Sequence, residues 1–397
     1  MKLSTEEKNM LDRGFWEAFG YEPERYFSAP GRTEIGGNHT DHQQGCVLAA
    51  AVNLDTRAAV AINGTGIIQV LSQGYALCRV ELTDLEPKKE EENTTSALIR
   101  GVAAGMSARG CRLSGLDIYV MSTVLPGSGL SSSAAFEVLL GTIFNEVFHD
   151  GGLNPQDIAK IGQYAENVYF GKPCGLMDQM ASAVGNLVAM DFASGMVRPL
   201  ACDLTCWDHA LCIIDTHASH ADLTEEYAAV PAEMKAVAAY FGCRVLSQVD
   251  EGAIYAEIPG LRQACGDRAV LRAIHFYEEN RRVKAQWDAL ERGDFPAFLE
   301  LVKESGRSSF MYLQNVIVSG SRAHQDMALA LALCEKHLAG RGAYRVHGGG
   351  FAGTVQAFVP RDLLEQFCLR MDSVLGRGSC HVLSIRPVGG TELEVEG

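Results

Sequence analysis

No uninterrupted apolar run of about 18 residues occurs in the sequence, so no segment is expected to span a membrane. Basic residues are in the minority. The 34 Lys and Arg against 49 Asp and Glu leave a formal charge of -15, which argues against a nucleic-acid partner, since phosphate backbones demand a basic face. The 12 cysteines include no CxxC pair, and only Cys202 and Cys206 stand close together. Neither a disulfide framework nor a zinc cluster is therefore expected, and reduced thiols in the cytoplasm fit this usage. The opening MKLSTEEKNMLDRGFWEAFG lacks the apolar core of a secretion signal and reads as an amphipathic helix capped by Ser4 or Thr5. What is present is ordinary for a globular protein: 397 residues, 47% hydrophobic and 21% charged, enough for two or three domains with real cores.

Strand and helix signals alternate along the chain without a repeat. VLAAAVNLDTRAAVAING and GIIQVLSQGYALCRVEL read as strands joined by the hairpin-like turn NGTG. The charged stretch 86–96 reads as a solvated loop before a helix, SALIRGVAAGMSARG. Leu116, Ile118 and Val120 alternate as in a strand. Ala135, Leu139, Ile143 and Val147 share one face of a long helix, and Asn154 and Pro155 mark the start of another. Apolar strands NLVAMDF and ALCIIDTH flank a border near residue 205, and CHVLSIRP reads as the final strand. This mixed order predicts two α+β domains, 1–204 and 205–397, with a cleft between them.

Two stretches carry chemistry. SAPGRTEIGGNHTDHQQG (28–45) gathers an arginine, a glutamate, two histidines and an aspartate among glycines. It can be a metal site, a polar loop or a pocket for a polyhydroxylated or phosphorylated ligand. LPGSGLSSSAAFEVLL (125–140) places Gly127, Ser128, Gly129 and Leu130 in a tight turn, with Ser131, Ser132 and Ser133 at the first turn of a helix. Free backbone N–H groups and the positive dipole end favour an anion there, and a serine hydroxyl can offer an oxygen to Mg²⁺. No lysine follows the glycines as in a Walker A loop.

Together with PCGLMDQMASAVG and HGGGFAGTV, these stretches resemble, in order and spacing, the motifs of the GHMP small-molecule kinases, and within them the galactokinase family. The resemblance implies an α+β two-domain architecture, an N-terminal domain like domain 2 of ribosomal protein S5 and a ferredoxin-like C-terminal domain. The active site would lie between them. It implies an ATP-dependent kinase acting on the anomeric hydroxyl of galactose or a related sugar, with Mg²⁺ as cofactor. By the same resemblance Asp178 is the proton acceptor and Arg32 its partner, and residues 127–133 hold the phosphates. Ser132 and Glu166 hold the metal, while Asn38, His39, Asp41, Gly175 and Tyr227 surround the sugar. Sugar and ATP are the expected partners, and a cytoplasmic monomer the expected state.

The chain also departs from the family pattern. Asn38 stands where galactokinases carry glutamate, His42 where they carry tyrosine, Glu34 in place of asparagine and Gly36 in place of isoleucine. Thr95 and Leu98 occupy the places of an aromatic pair near adenine. These changes leave a kinase for a different sugar as the first alternative. A non-catalytic sugar sensor is the second, and a zinc hydrolase built on His39, Asp41 and His42 the third.

Overall fold

The computed structural model describes residues 1–124, 129–218 and 223–396. Its first helix, Thr5–Phe19, begins as the local sequence dictates: the Ser4 side chain accepts from the Glu7 N–H while Glu7 reaches back to the Ser4 N–H, a reciprocal capping box. Its apolar face, with Leu11 and Phe15 buried, lies against Tyr26 and Tyr119.

A large mixed sheet follows, in the spatial order Thr391–Glu392, Arg25–Gly36, Cys46–Ile62, Leu116–Ser122, Ile67–Ser72, Cys78–Glu81. Leu187–Asp191 and then Met196–Leu200 extend it from the first half of Cys46–Ile62. The expected hairpin across NGTG is not formed. Leu116–Ser122 inserts between its two strands, antiparallel to Cys46–Ile62 and parallel to Ile67–Ser72. Its leading residues are buried on both faces, a demand met only in the interior of a sheet, and that long-range pairing overrides the local turn signal. The strand Arg25–Gly36 slips register twice against its neighbour, between Pro30 and Arg32 and between Glu34 and Gly36. Such bulges re-aim side chains, and Arg32 and Glu34 both turn into one cleft.

Helices Thr95–Ser107, Ser132–Phe148, Pro155–Tyr164 and Met177–Val184 pack on this sheet around a core including Phe27, Ile118 and Phe144. Ser132–Phe148 is not apolar on one face only: every residue from Ala134 to Asn145 is buried, because other helices cover its outer side. After Pro155–Tyr164 the chain widens into a π turn, Ala165–Phe170.

The second sheet has four antiparallel strands, ordered Ala343–His347, Thr354–Pro360, His209–Asp215, Cys380–Leu383. With the helix Arg361–Leu375 this is a ferredoxin-like arrangement. CHVLSIRP is not the last strand. Thr391–Glu392 joins the edge of the first sheet at Ser28 and Phe27, and Glu394–Val395 pairs with Lys2–Leu3. Between the sheets runs the helix Asp267–Glu291.

Candidate active site

Arg32 is buried, and its guanidinium grips Asp178 with two bonds, Nε to Oδ1 at 2.6 Å and Nη2 to Oδ2 at 2.8 Å. Its third nitrogen, Nη1, donates to the carbonyl of Gly129, and its backbone N–H to that of Leu130. The strand and the turn into helix Ser132–Phe148 are thereby stitched together, and Gly31 permits the approach: a Cβ there would lie 2.9 Å from the Leu130 carbonyl. Asp178 opens the helix Met177–Val184, where the dipole favours a carboxylate. It also accepts from Ser131 Oγ at 2.6 Å. Burial pushes the Asp178 carboxyl up, but the Arg32 charge and these hydrogen bonds outweigh it and hold it below the usual range.

Of the expected phosphate loop, Gly127 and Ser128 lie outside the described residues. Gly129 and Ser131 are left-handed, at φ 71° and 59°, which turns the chain sharply into the helix Ser132–Phe148. The glycine run 348–353 lies directly behind this turn. A Cβ on Gly129 would meet His347 Nδ1 at 3.2 Å and Thr354 Oγ1 at 3.3 Å.

In front of Arg32 opens a cleft of about 690 Å³. Asp41 lines it, and Gly175 packs so tightly against that carboxylate that a Cβ would fall 2.0 Å from Oδ2. Burial, with the nearby Asp178 charge adding to it, raises the Asp41 carboxyl to about 6 against the pull of backbone hydrogen bonds and Arg32. His39, left-handed at φ 58°, joins Gly349 O through Nε2 at 3.0 Å, and burial lowers its imidazole to about 4. Asn38 is fully buried and saturated. Its amide nitrogen donates to Glu34 Oε1 (3.0 Å) and Gly348 O (2.6 Å), and its oxygen accepts from Asn315 (2.8 Å) and Ser309 (3.3 Å). Asn38 and Glu34 both line the cleft, Asn38 with its side-chain hydrogen bonds made within the protein. Tyr227 stands behind the glycine run, its hydroxyl donating to Gly350 O at 2.9 Å and its ring against Phe351. Ligand atoms of His39, Asp41 and His42 do not converge as a metal set. Leu98 faces the core, and His217 bonds Ser379, while His220 lies outside the described residues.

Glu166, on the π turn, is buried beside Glu137. Gln179 Nε2 bridges the two carboxylates at 2.8 and 2.9 Å, and burial, then the Glu166 charge, holds Glu137 well above the usual range. The serine that reaches Glu166 is Ser133, at 3.3 Å; Ser132 makes no side-chain hydrogen bond among the described residues. Lys172 also sits on Glu166, at 3.2 Å, on a side chain 62% exposed. Glu137 Oε1 is buried without a partner, so two carboxylates, Glu137 and Glu166, stand side by side with acceptor capacity to spare, the donor type a hard divalent cation takes.

The family model described as "GHMP kinases N terminal domain" matches residues 97–186, and that described as "Galactokinase galactose-binding signature" matches residues 13–62. A galactokinase of Streptomyces coelicolor is 33% identical over 352 residues, 87% of each chain. One from Glaesserella parasuis is 31% identical over 359 residues, 88% of this chain and 89% of that protein. The chain belongs to the galactokinase family. Its fold superposes on that of the galactose-bound Lactococcus lactis galactokinase with a TM-score of 0.84, at 22% identity, over 97% of this chain and 99% of that one. As a member of this family it is a kinase that phosphorylates a sugar hydroxyl, with ATP as phosphoryl donor.

Several residues that hold this galactokinase-family site had no signal in a local motif. Arg345 is fully buried and donates to Glu34 at 2.6 Å and to Ile35 O at 2.8 Å. Its one sequence cue is a charge inside an apolar strand just before HGGG. From the helix Asp267–Glu291, Glu279 accepts from Gly37 N at 3.0 Å, His275 bonds Asn38 O at 2.9 Å, and Asn280 accepts from Cys46 N at 2.6 Å. The turn that carries His39 and Asp41 is thus fastened at both ends.

Proposed function

We propose that the protein transfers the γ-phosphoryl group of ATP to the anomeric hydroxyl of galactose. The observation that carries this reading is the bidentate Arg32–Asp178 pair, set between the turn into helix Ser132–Phe148 and a cleft walled by Asp41 and Glu34. A carboxylate has roughly four acceptor positions. Arg32 takes two at Asp178 and Ser131 one, which leaves room for the sugar hydroxyl. Asp178 orients that hydroxyl and receives its proton. A carboxylate held below its usual range is a weak base, so the proton moves late, which suits the loose transition state of phosphoryl transfer. Arg32 keeps Asp178 ionised and faces the charge of the transferred group.

Residues 127–133 hold the phosphates at the helix N-terminus. Ser132 and Glu166 would hold the Mg²⁺ that accompanies ATP, which would supply charge neutralisation; Lys172 is the rival occupant of Glu166. Asp41 accepts from two sugar hydroxyls, His39 and Gly175 shape the same wall, and Tyr227 supports it from behind. Glu34 and Asn38 exchange the residue types of the family pattern and touch each other, so the cleft keeps one carboxylate and one amide. That conservation of charge favours galactose over a different sugar. The protein acts as a cytoplasmic monomer of two domains, 1–204 and 205–397, with the final strands Thr391–Glu392 and Glu394–Val395 returning to the first.

Release of ADP with galactose, N-acetylgalactosamine, glucose, arabinose, fucose and glucuronic acid tests the reading. Galactose is expected to give the highest kcat/KM. A higher value for another sugar would move the specificity, and no turnover on any would remove the activity.

A further inference from the structure

Although the cysteines are scattered in sequence, three of them meet in space. Cys212, Cys368 and Cys380 hold their sulfurs within 4.8 Å of one another, and Cys368 Sγ lies 3.3 Å from Cys380 Sγ. All three are free thiols. They arrive from three elements. Cys212 is central in His209–Asp215, and Cys380 begins the neighbouring strand, whose register sets Cys380 opposite Ile214 and Val382 opposite Cys212. The two cysteines are therefore diagonal neighbours on one sheet face. Cys368 descends from the helix Arg361–Leu375 that covers that face. One turn further, Asp372 accepts from the N–H groups of Cys380 (3.0 Å) and Gly378 (2.9 Å), pinning the start of the strand to the helix. Cys212 is buried, whereas Cys368 and Cys380 are half-exposed, so the group opens to solvent on one side. None of the three lines the cleft.

A buried cysteine can serve as a small apolar side chain, but packing alone does not require three sulfurs to meet where three elements join. With metal–sulfur bonds of about 2.3 Å, the sulfurs of one tetrahedral or trigonal site stand about 3.8–4.0 Å apart. The spacing here brackets that value, so small side-chain rotations close the site. Three sulfurs without an oxygen or imidazole ligand among them select a soft ion. We propose that Cys212, Cys368 and Cys380 form a three-thiolate site for one soft d¹⁰ cation, Zn²⁺ or Cu⁺, with the fourth position open to solvent. Binding releases the thiol protons to water and involves no electron transfer. It ties the helix to two strands of the ferredoxin-like sheet.

The test uses the full chain, reduced, stripped with a chelator and kept free of oxygen. Co²⁺ is added as a spectroscopic stand-in, followed by Zn²⁺ or Cu⁺ as competitors. One equivalent of Co²⁺ is expected to give a thiolate-to-cobalt charge-transfer band in the near ultraviolet, which Zn²⁺ or Cu⁺ abolishes. C368S and C380S should each weaken binding at least tenfold, while C206S leaves it unchanged. Absence of the band in the unmutated protein at saturating Co²⁺ would overturn the proposal without reference to how any variant folds. So would a band that survives C368S and C380S but is lost in C206S.

Discussion

The Glu34 carboxylate accepts a hydrogen bond from the Asn38 amide at 3.0 Å, and Arg345, fully buried, closes on the same Glu34 oxygen at 2.6 Å. Relative to the family pattern the two residue types have changed places, yet one negative charge still faces one buried guanidinium. Single substitutions should therefore fail where the double one succeeds. E34N leaves Arg345 without its partner, a loss of about 3–5 kcal/mol for a broken buried pair. N38E sets a second carboxylate against the first. In urea denaturation, with galactose KM measured in parallel, E34N/N38E is expected to recover at least half of the worse single loss. A double variant no better than its worse parent would contradict this.

Asp178 and Arg32 should behave as a unit. D178N is expected to lower kcat by about 10²–10⁴ while ATP binding stays within a few-fold. R32K keeps the charge but loses the fork, and should lower kcat by about 10²–10³. Because each variant breaks the same arrangement, the double variant should be little slower than the worse single one. Multiplying losses would show two independent contributions.

Asp41 supplies a pH dependence with a definite sign. Its carboxyl is raised to about 6, and under the proposed function it has to be ionised to accept from two sugar hydroxyls at once. The kcat/KM for galactose should thus fall tenfold per pH unit below about 6 and level off above it. Asp178 lies below the ordinary range and does not set this limb. Stability runs the other way: the native state binds the Asp41 proton more tightly than the unfolded chain. This group's contribution is therefore present at low pH and lost as pH rises from the ordinary aspartate value to about 6. D41N should flatten both trends, and G175A, whose methyl would strike Oδ2, should raise the galactose KM. A pH profile unchanged in D41N would reassign the limb.

Lys172 is paired with Glu166 at 3.2 Å, so under the proposed function it competes with Mg²⁺ for that carboxylate. In K172M the Mg²⁺ concentration giving half-maximal rate at fixed ATP should fall several-fold, and in E166Q it should rise. If neither moves that midpoint, the metal does not use Glu166.

Arg32 and Asp178 sit in short motifs whose residue types announce chemistry, and the structure brings them together across 146 residues of chain. The helix-start serines and the capping box of Ser4 and Glu7 are equally local and equally legible. What supports the cleft is not local. Arg272, His275, Glu279, Arg282 and Gln286 recur at alternating three- and four-residue steps along Asp267–Glu291, a spacing that marks a buried stripe. Because those residues are polar, hydrophobic periodicity reads the same stripe as solvent-facing. Apart from the Glu279–Arg282 pair within the stripe, partners such as Gly37 for Glu279 and Asn38 for His275 lie far away in sequence, so little nearby reveals why these groups are buried. The NGTG hairpin failed for a related reason: a turn signal is local, but the choice of neighbouring strand is not.

The most direct measurement follows the phosphorus itself. The protein would be incubated with Mg·ATP and galactose isotopically labelled at the anomeric carbon, and the product examined by phosphorus NMR. A single phosphomonoester resonance split by the label, formed in step with ADP and lost in D178N, is the predicted result. An unsplit resonance, orthophosphate alone, or full turnover in D178N would contradict transfer to the anomeric hydroxyl at the Arg32–Asp178 pair.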